Sequence, residues 1–283
     1  MSSISPTLGS SARRIGFTFL FALIVTAISL QAQDAVRPSL AGEAAAEARR
    51  QTLDQIPYNL LAGPIRFRFS ATQGVEFNDN INLSENDKQS DVILRPMINM
   101  NALWPITQLN TLHIDLGLGY AYYIDHPGDS TNSVLLAPGS QVAFDIFVSD
   151  FRINFHDRFS LEQDPIAEAQ ISNVVDYGRF ENTAGVSILW DLNKAVATLG
   201  YDHYNYISTT SQFDYLNRNA DSITGSLSIA ATSTTGVGVE GAFVDNRYDQ
   251  DVLNDSKTYS GGGFVETQLT NYVKLRVAGL PQD

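Results

Sequence analysis

From Ile65 onward, apolar and polar side chains alternate with a period of two, and this alternation limits the possible folds more than any other feature of the chain. Successive side chains of a β-strand point to opposite faces, so the alternation predicts strands with one apolar and one polar face. Three segments, starting near Ile65, Val92 and Leu112, match this template especially well. Looser matches follow along the chain and bring the predicted number of strands to eleven.

The connections between the predicted strands alternate between long and short. The short connections lie near residues 105–110, 149–150, 192–194, 232–235 and 270–272. The long, polar connections lie near residues 78–90, 125–133, 162–181, 208–221 and 245–257. Outer-membrane barrels have short turns at one end and longer loops at the other, so this asymmetry favours an up-and-down antiparallel sheet of that type.

The number of strands indicates which face of the sheet would point inward. A closed barrel of about eight strands has an interior that side chains can fill, whereas ten or more strands enclose a wider space. An apolar face could not be packed inside that space, but it could face lipid while the polar face lines water. We therefore predict an all-β fold in residues 64–283, an antiparallel up-and-down transmembrane β-barrel.

Two sets of side chains follow from this prediction. Aromatic residues near strand ends on the apolar face predict an interfacial girdle, formed by Phe77, Trp104, Tyr122, Phe159, Trp190 and Phe243. Charged and imidazole side chains on the polar face predict a lumen lining, formed by Arg66, Arg68, His113, Asp115, Arg152, His156, Arg158 and Asp202. The plainer interpretations are ordinary β-favouring aromatics and a hydrated, charge-balanced wall.

The first 63 residues differ in composition from the rest. Arg13 and Arg14 precede the apolar stretch Ile15–Ile28, and small residues follow it, which predicts a cleaved signal peptide in residues 1–33. An uncleaved anchor is the alternative, although the stretch is shorter than the ~20 residues of a spanning helix. Residues 34–63 are rich in Ala, Glu and Arg in their central part and predict an exposed periplasmic helix or linker.

Charge and cysteine content exclude several classes of protein. The net charge of −13 disfavours nucleic acid, whose phosphates would be repelled. The chain has no cysteine, so disulfides, zinc–thiolate sites and thiol nucleophiles are impossible. An acidic loop with Asp79, Glu85, Asp87 and Asp91 could bind calcium, but it lacks EF-hand spacing and we expect it to be solvated. We predict no cofactor and no metal.

The four histidines are the natural candidates for catalysis. His113 shares the polar face with Asp115, about 7 Å away along a strand, and a charge-balanced wall explains this pair. His126 lies in a long loop, where we expect it to be solvated. No HExxH, GxSxG or glycine-rich phosphate loop is present, so we predict that the chain is not an enzyme.

The segment Gly74–Met100 resembles the first hairpin of the β-barrel porin-2 type of outer-membrane protein. That hairpin has an aromatic-Asx-Asx-Asn stretch, a polar loop, a Ser-Asp-hydrophobic stretch and a proline. Residues Phe77–Asn80, Ser90–Val92 and Pro96 fill these places, and a looser likeness extends over most of residues 60–275. The resemblance implies a gram-negative outer membrane and, as for some members of the family, exopolysaccharide or capsule export. It brings no catalytic or cofactor residues.

The end of the chain departs from this family. Single-chain bacterial barrels have an even number of strands, and they commonly end on an aromatic residue. Here the predicted number is eleven and the last residue is Asp283. We therefore expect a fragment whose barrel is incomplete at its C-terminus.

These features favour a porin-like outer-membrane barrel, either a passive channel or a structural or export-associated protein for polar solutes or polysaccharide. Its predicted partners are outer-membrane lipid, such a solute or polysaccharide, and the barrel-assembly machinery, with no nucleic acid. A secreted, soluble β-rich binding or adhesion protein is the first alternative. A barrel enzyme acting on envelope lipid or peptide is the second.

Overall fold

The strands predicted from the alternation are present in the computed structural model. It describes residues 39–131, 134–163, 174–175, 177–270 and 272–279, and the predicted signal peptide lies outside them. One α-helix, α1 (Glu43–Asp54), precedes the strands. No helix in the described part of the chain is long and apolar enough to cross a membrane.

Thirteen strands follow α1 in the described residues. They are β1 (Leu60–Ala62), β2 (Ile65–Asn78), β3 (Asp91–Pro105), β4 (Asn110–Gly119), β5 (Tyr122–Tyr123), β6 (Leu135–Val148), β7 (Phe151–Gln163), β8 (Gly178–Asp191), β9 (Ala195–Ser208), β10 (Arg218–Ala230), β11 (Thr235–Tyr248), β12 (Ser256–Gln268) and β13 (Lys274–Gly279). All eleven predicted strands are among them. The two additional strands, β1 and β5, have only three and two residues, which is too short for an alternation to show.

The strands form one sheet in which all pairings are antiparallel and, apart from those around β5, join neighbours in sequence. The order runs from β1 through β4 to β6 and then on to β13, while β5 pairs with β3. Among the described residues, no pairing joins β13 back to β1 or β2. The predicted all-β, up-and-down antiparallel architecture is confirmed. Connections within the sheet alternate between short turns and long loops, so the two kinds of connection lie at opposite ends.

The pairing register fixes which side chains share a face. In one row, Ala71, Ile98 and Leu118 are direct cross-strand neighbours, and they belong to the apolar face. Following the register across the sheet places all six predicted girdle residues on this face and all eight predicted lumen residues on the opposite, polar face. The roles assigned to both sets stay predictions.

The apolar face is the exposed one. Phe77 is 73% exposed, Ile98 60% and Val239 59%. A water-soluble protein rarely leaves a contiguous apolar surface of this kind uncovered. Eight of the twelve buried apolar residues in the described part of the chain lie in two small clusters at the long-loop end of the polar face.

These two clusters are built largely from the long loops. One contains Tyr177, Tyr206, Phe213 and Leu216, with Phe213 and Leu216 contributed by a short 3-10 helix after β9. The other contains Ile81, Ile93, Ala121 and Tyr123. Ile93 and Tyr206 belong to the polar face by register. The loops therefore fold over the polar face and narrow the space in front of it at the long-loop end.

Helix α1 occupies the other end of the polar face. The Ala41 amide just before it donates to the Ser149 carbonyl in the β6–β7 turn at 2.8 Å, and the Arg49 guanidinium lies 3.7 Å from the centroid of the Phe147 ring. At its C-terminal end, Arg66 donates to the Leu53 carbonyl at 2.5 Å. The sequence predicted an exposed helix because α1 has few apolar residues. Its docking relies instead on arginine side chains, which bind rings and carbonyls as well as water.

A pair of variants tests the assignment of the two faces. Leu116 lies on the apolar face opposite Met100, and Asp115 lies on the polar face. We expect Leu116→Arg to block assembly, since a cation on the lipid side at mid-membrane costs about 2–4 kcal/mol, whereas Asp115→Asn assembles normally. Heat-modifiable gel mobility of the folded barrel measures both. Equal folding of Leu116→Arg and the wild type would contradict the assignment.

Candidate functional site on the polar face

The polar face carries side chains that hold one another across neighbouring strands. Asp115 on β4 accepts hydrogen bonds from Asn101 of β3 at 2.6 Å and from Gln141 of β6 at 2.8 Å. These three residues are direct cross-strand neighbours, so the bonds run along one row of the sheet. The carboxylate nearest to His113 is that of Asp145 on the adjoining strand, and not that of Asp115. Nε2 of His113 lies 3.7 Å from Oδ2 of Asp145.

Asp145 on β6 is the centre of a second group. Arg152 donates to its two carboxylate oxygens from Nε at 2.9 Å and from Nη2 at 3.2 Å, and Asn154 adds a bond at 3.0 Å. A bidentate arginine–carboxylate pair of this kind is among the stronger polar contacts and fixes the geometry of both side chains. The Asp145 side chain is nearly buried, while half of Arg152 remains exposed to the space above the face.

His156 connects this group to β9. Its Nδ1 lies 2.9 Å from the Asn154 side-chain oxygen, and its Nε2 lies 2.7 Å from Oδ1 of Asp202. The contact with Asp202 passes over β8, where Gly185 is the residue between them. A Cβ at Gly185 would come within 2.3 Å of Oδ1 of Asp202 and 2.8 Å of Nε2 of His156. Only glycine at this position therefore leaves room for the bridge.

A third group lies nearer the long loops. Arg179 on β8 donates to Glu162 at 2.5 Å and to Glu181 at 3.1 Å, and the Tyr204 hydroxyl donates to Glu181 at 2.9 Å. The Arg218 guanidinium stacks 4.3 Å above the ring of Tyr206. None of these residues was predicted as a site, although their positions in the alternation of β7 to β10 place them on the polar face.

The loop end of the sheet also contains a buried tyrosine pair. The hydroxyls of Tyr177 and Tyr206 are 2.6 Å apart, and the ring of Phe213 packs edge-on against Tyr177. Burial raises the pKa of the Tyr177 hydroxyl above its ordinary value, and the bond from Tyr206 only partly offsets this. The pair therefore stays uncharged and holds the loop before β8 against β9.

Asp91, at the start of β3, organises the neighbouring loop. Its carboxylate accepts the backbone amides of Ile124, Asp125 and His126 at 2.9–3.1 Å, and it lies 2.8 Å from Nδ1 of His126. Burial alone would raise the pKa of Asp91, but these hydrogen bonds bring it below its ordinary value.

Two loop predictions are wrong as a result. His126 was expected to be solvated, but its ring is tied to Asp91. Asp91 was expected to share a solvated acidic loop, but its side chain is fully buried and its oxygens are occupied by protein donors. In the described residues, no group of three or more His, Asp or Glu side chains is arranged to hold a metal ion.

The short-turn end is bordered by arginines of α1. A groove of about 340 Å³ lies between this helix and the β3–β4 turn, lined by Glu43, Ala46, Glu47, Arg50 and Gln108. Arg49, on another side of the helix, is partly buried near Arg152. Burial, and then the positive charge of Arg152, lower the pKa of Arg49 from its ordinary value.

The predicted lumen residues thus divide into three kinds. His113, Asp115, Arg152, His156 and Asp202 take part in the mid-strand groups described above. Arg66 is held by α1 through Leu53 and Asp54. Arg68 and Arg158 form no ion pair with any described residue.

Comparisons with known proteins assign no family. No protein-family model matches the chain, and no curated protein matches it. One similar solved structure is OmpT, an outer membrane protein of Vibrio cholerae that was folded in vitro. It is 7% identical, the TM-score is 0.41, and the similarity covers 77% of this chain and 87% of that chain. At this level of similarity, the comparison supports no conclusion about function, and the resemblance to the porin-2 type stays a prediction.

Asp91→Asn tests the loop interaction. An asparagine offers one carbonyl oxygen where the carboxylate accepted several donors, so we expect the loop to lose about 1–3 kcal/mol of local stability. Hydrogen exchange at the amides of Ile124 to His126 measures this loss at neutral pH. The wild-type loop should be stabilised above the unfolded pKa of about 3.9 and loosen as the pH falls through the lowered folded pKa. Asp87→Asn, in the same loop region but exposed, is the control. Unchanged exchange in Asp91→Asn would contradict the assignment.

Proposed function

We propose that this chain is an outer-membrane β-barrel whose polar face lines a water-filled passage for polar solutes. One observation carries the proposal: linked polar side chains follow one face of the sheet from its short turns to its long loops, while the other face is largely apolar and exposed. Most of the strands have 13 to 15 residues, more than the ~9–11 that a tilted membrane strand needs.

Most of the charges on the polar face pair with one another, and Arg68 and Arg158 are exceptions among the described residues. The ion pairs are Glu76–Arg95, Asp145–Arg152, Glu162–Arg179, Glu266–Lys274 and Glu240–Arg276. Paired charges produce little net field along the passage, so selection by the sign of the solute's charge should be weak. The wall instead offers many hydrogen-bond donors and acceptors. This favours neutral polar solutes, saccharides included, over small ions of either sign.

Both ends of the passage are narrowed by parts of the same chain. The loop clusters around Tyr206 and Tyr123 cover the polar face at one end, and α1 lies against it at the other. Solute size should therefore limit permeation more strongly than solute charge does. The mechanism we propose is passive, and the prediction that the chain is not an enzyme stays a prediction.

Conductance in planar bilayers tests the proposed channel. The purified protein should form pores with weak ion selectivity, and proteoliposomes containing it should admit small neutral saccharides. Arg158→Asp reverses a charge on the polar face that has no ion-pair partner among the described residues, so its pores should shift toward cation selectivity by a measurable change in reversal potential. Lys88→Asp makes the same change in charge in an exposed loop and should shift it little. The absence of wild-type pores and of saccharide uptake would contradict the proposal.

A further inference from the structure

The exposed face of the sheet is not apolar throughout, because polar side chains interrupt it across β7 to β12. The register places nine of them side by side on that face, and we call them the outer polar patch: Asp157, Asn182, His203, Asn205, Asn219, Asp221, Asp245, Arg247 and Lys257. A passage on the other face does not require them. Their position therefore needs a separate explanation.

The patch is continuous across six strands, because Asp221 is followed in its row by Asp245 and Lys257, and Asn219 in its row by Arg247. Asn182, Asn205 and Asn219 are direct cross-strand neighbours in one row. In the adjacent row of the same face, Asp157 precedes Ala184, which is followed by His203 and Asp221. These polar side chains thus form one contiguous surface and are not scattered singly over the apolar face.

The residues of the patch satisfy one another only in part. Asn182 donates to the Asp157 carboxylate, and Asp221 lies 2.9 Å from Nδ1 of His203 while accepting the Tyr201 hydroxyl at 2.7 Å. The side-chain amides of Asn205 and Asn219 form no hydrogen bond with any described residue. Both are only half buried, so they can reach a partner outside the sheet.

The lower edge of the patch lies within the apolar band. Along β7, Asp157 stands between Phe155 and Phe159, which share its face. It is six residues from Phe151 at the short-turn end, a rise of about 15 Å for a strand tilted by ~40°. A membrane barrel has an apolar band about 25 Å tall, so Asp157 would lie well inside it. A carboxylate facing hydrocarbon is expensive and normally indicates contact with protein or water.

The same face differs on the opposite side of the sheet. Across β2, β3 and β4, the exposed face consists of apolar residues with Gln73 and Asn110 as the polar exceptions. That sector suits acyl chains. This contrast between the two sectors indicates that the outer polar patch contacts something other than acyl chains.

We propose that the outer polar patch is the contact surface for a second copy of this chain, related by a two-fold axis. The inference rests on the membrane location proposed above. Side-chain amides both donate and accept, and carboxylates accept, so the patch complements itself when two copies face each other. A two-fold contact joins the same surface on both subunits, as a single self-complementary patch requires. Acyl chains cannot hydrogen-bond to the patch, and its two cations, Arg247 and Lys257, are already paired with Asp245 at 2.5 and 3.5 Å, which leaves little attraction for anionic headgroups.

Cysteine cross-linking tests the contact, and the absence of native cysteine makes each introduced thiol unique. Asn205→Cys, near the centre of the patch, should form a disulfide-linked dimer when membranes containing the protein are mildly oxidised. Ile98→Cys, on the apolar face of β3, is the matched control and should stay monomeric. No dimer from Asn205→Cys, equal cross-linking of the two variants, or linkage only to a different protein would overturn the proposal.

A double variant distinguishes between a second copy of the chain and lipid as the neighbour of the outer polar patch. In Asp157→Leu/Asn182→Leu, the face becomes apolar at two positions, so the barrel should still fold. The wild type should be a dimer by light scattering in detergent, and the double variant should show at least a tenfold weaker dimer. An unchanged oligomeric state together with greater resistance to heat would indicate lipid contact and overturn the proposal. Dimers without conductance would contradict the proposed channel alone, and conducting monomers would contradict the proposed dimer alone.

Discussion

The backbone hydrogen-bond ladder between antiparallel neighbours is the interaction on which the rest of this structure depends. It links β1 to β13 through successive neighbours, with β5 as a side branch and register shifts in the β4–β6 and β6–β7 pairings, and almost every connection is local in sequence. Once the ladder fixes the register, each side chain is assigned to one of two faces. The apolar exposure, the polar groups and the outer polar patch are all consequences of that assignment. A slip of one residue in any strand would exchange its faces.

The polar face illustrates how the register creates a site that no single strand contains. Asp115 and Asp145 receive their hydrogen bonds from adjacent strands, in rows perpendicular to the chain direction. His156 reaches one strand further, to Asp202, because Gly185 leaves the space open. The resulting wall is pre-organised by its own side chains. Its groups are therefore held in place before any solute arrives, which suits a passive passage.

Much of the fold could be predicted from the sequence, because a two-residue period is a local signal and the ladder preserves it. The eleven predicted strands, their faces and the alternation of turns and loops all follow from it. Features that depend on distant residues could not be predicted. Asp91 meets His126 only after two loops fold together, and Arg49 of α1 docks on the ring of Phe147, which lies 98 residues away in sequence. In β9 and β10 the alternation is loose, so the outward position of His203 and Asp221 emerges only from pairing with β8.

The central claim is that one face of the sheet contacts lipid and the other contacts water, and thiol accessibility tests it most directly. Asp115→Cys and Leu116→Cys place single thiols on adjacent residues of β4, on opposite faces. In proteoliposomes, a membrane-impermeant, water-soluble thiol reagent should label residue 115 rapidly and leave residue 116 unlabelled. A lipid-soluble quencher should quench a fluorophore attached to residue 116 more strongly than one attached to residue 115. Equal labelling of both thiols, or preferential labelling at 116, would contradict the account.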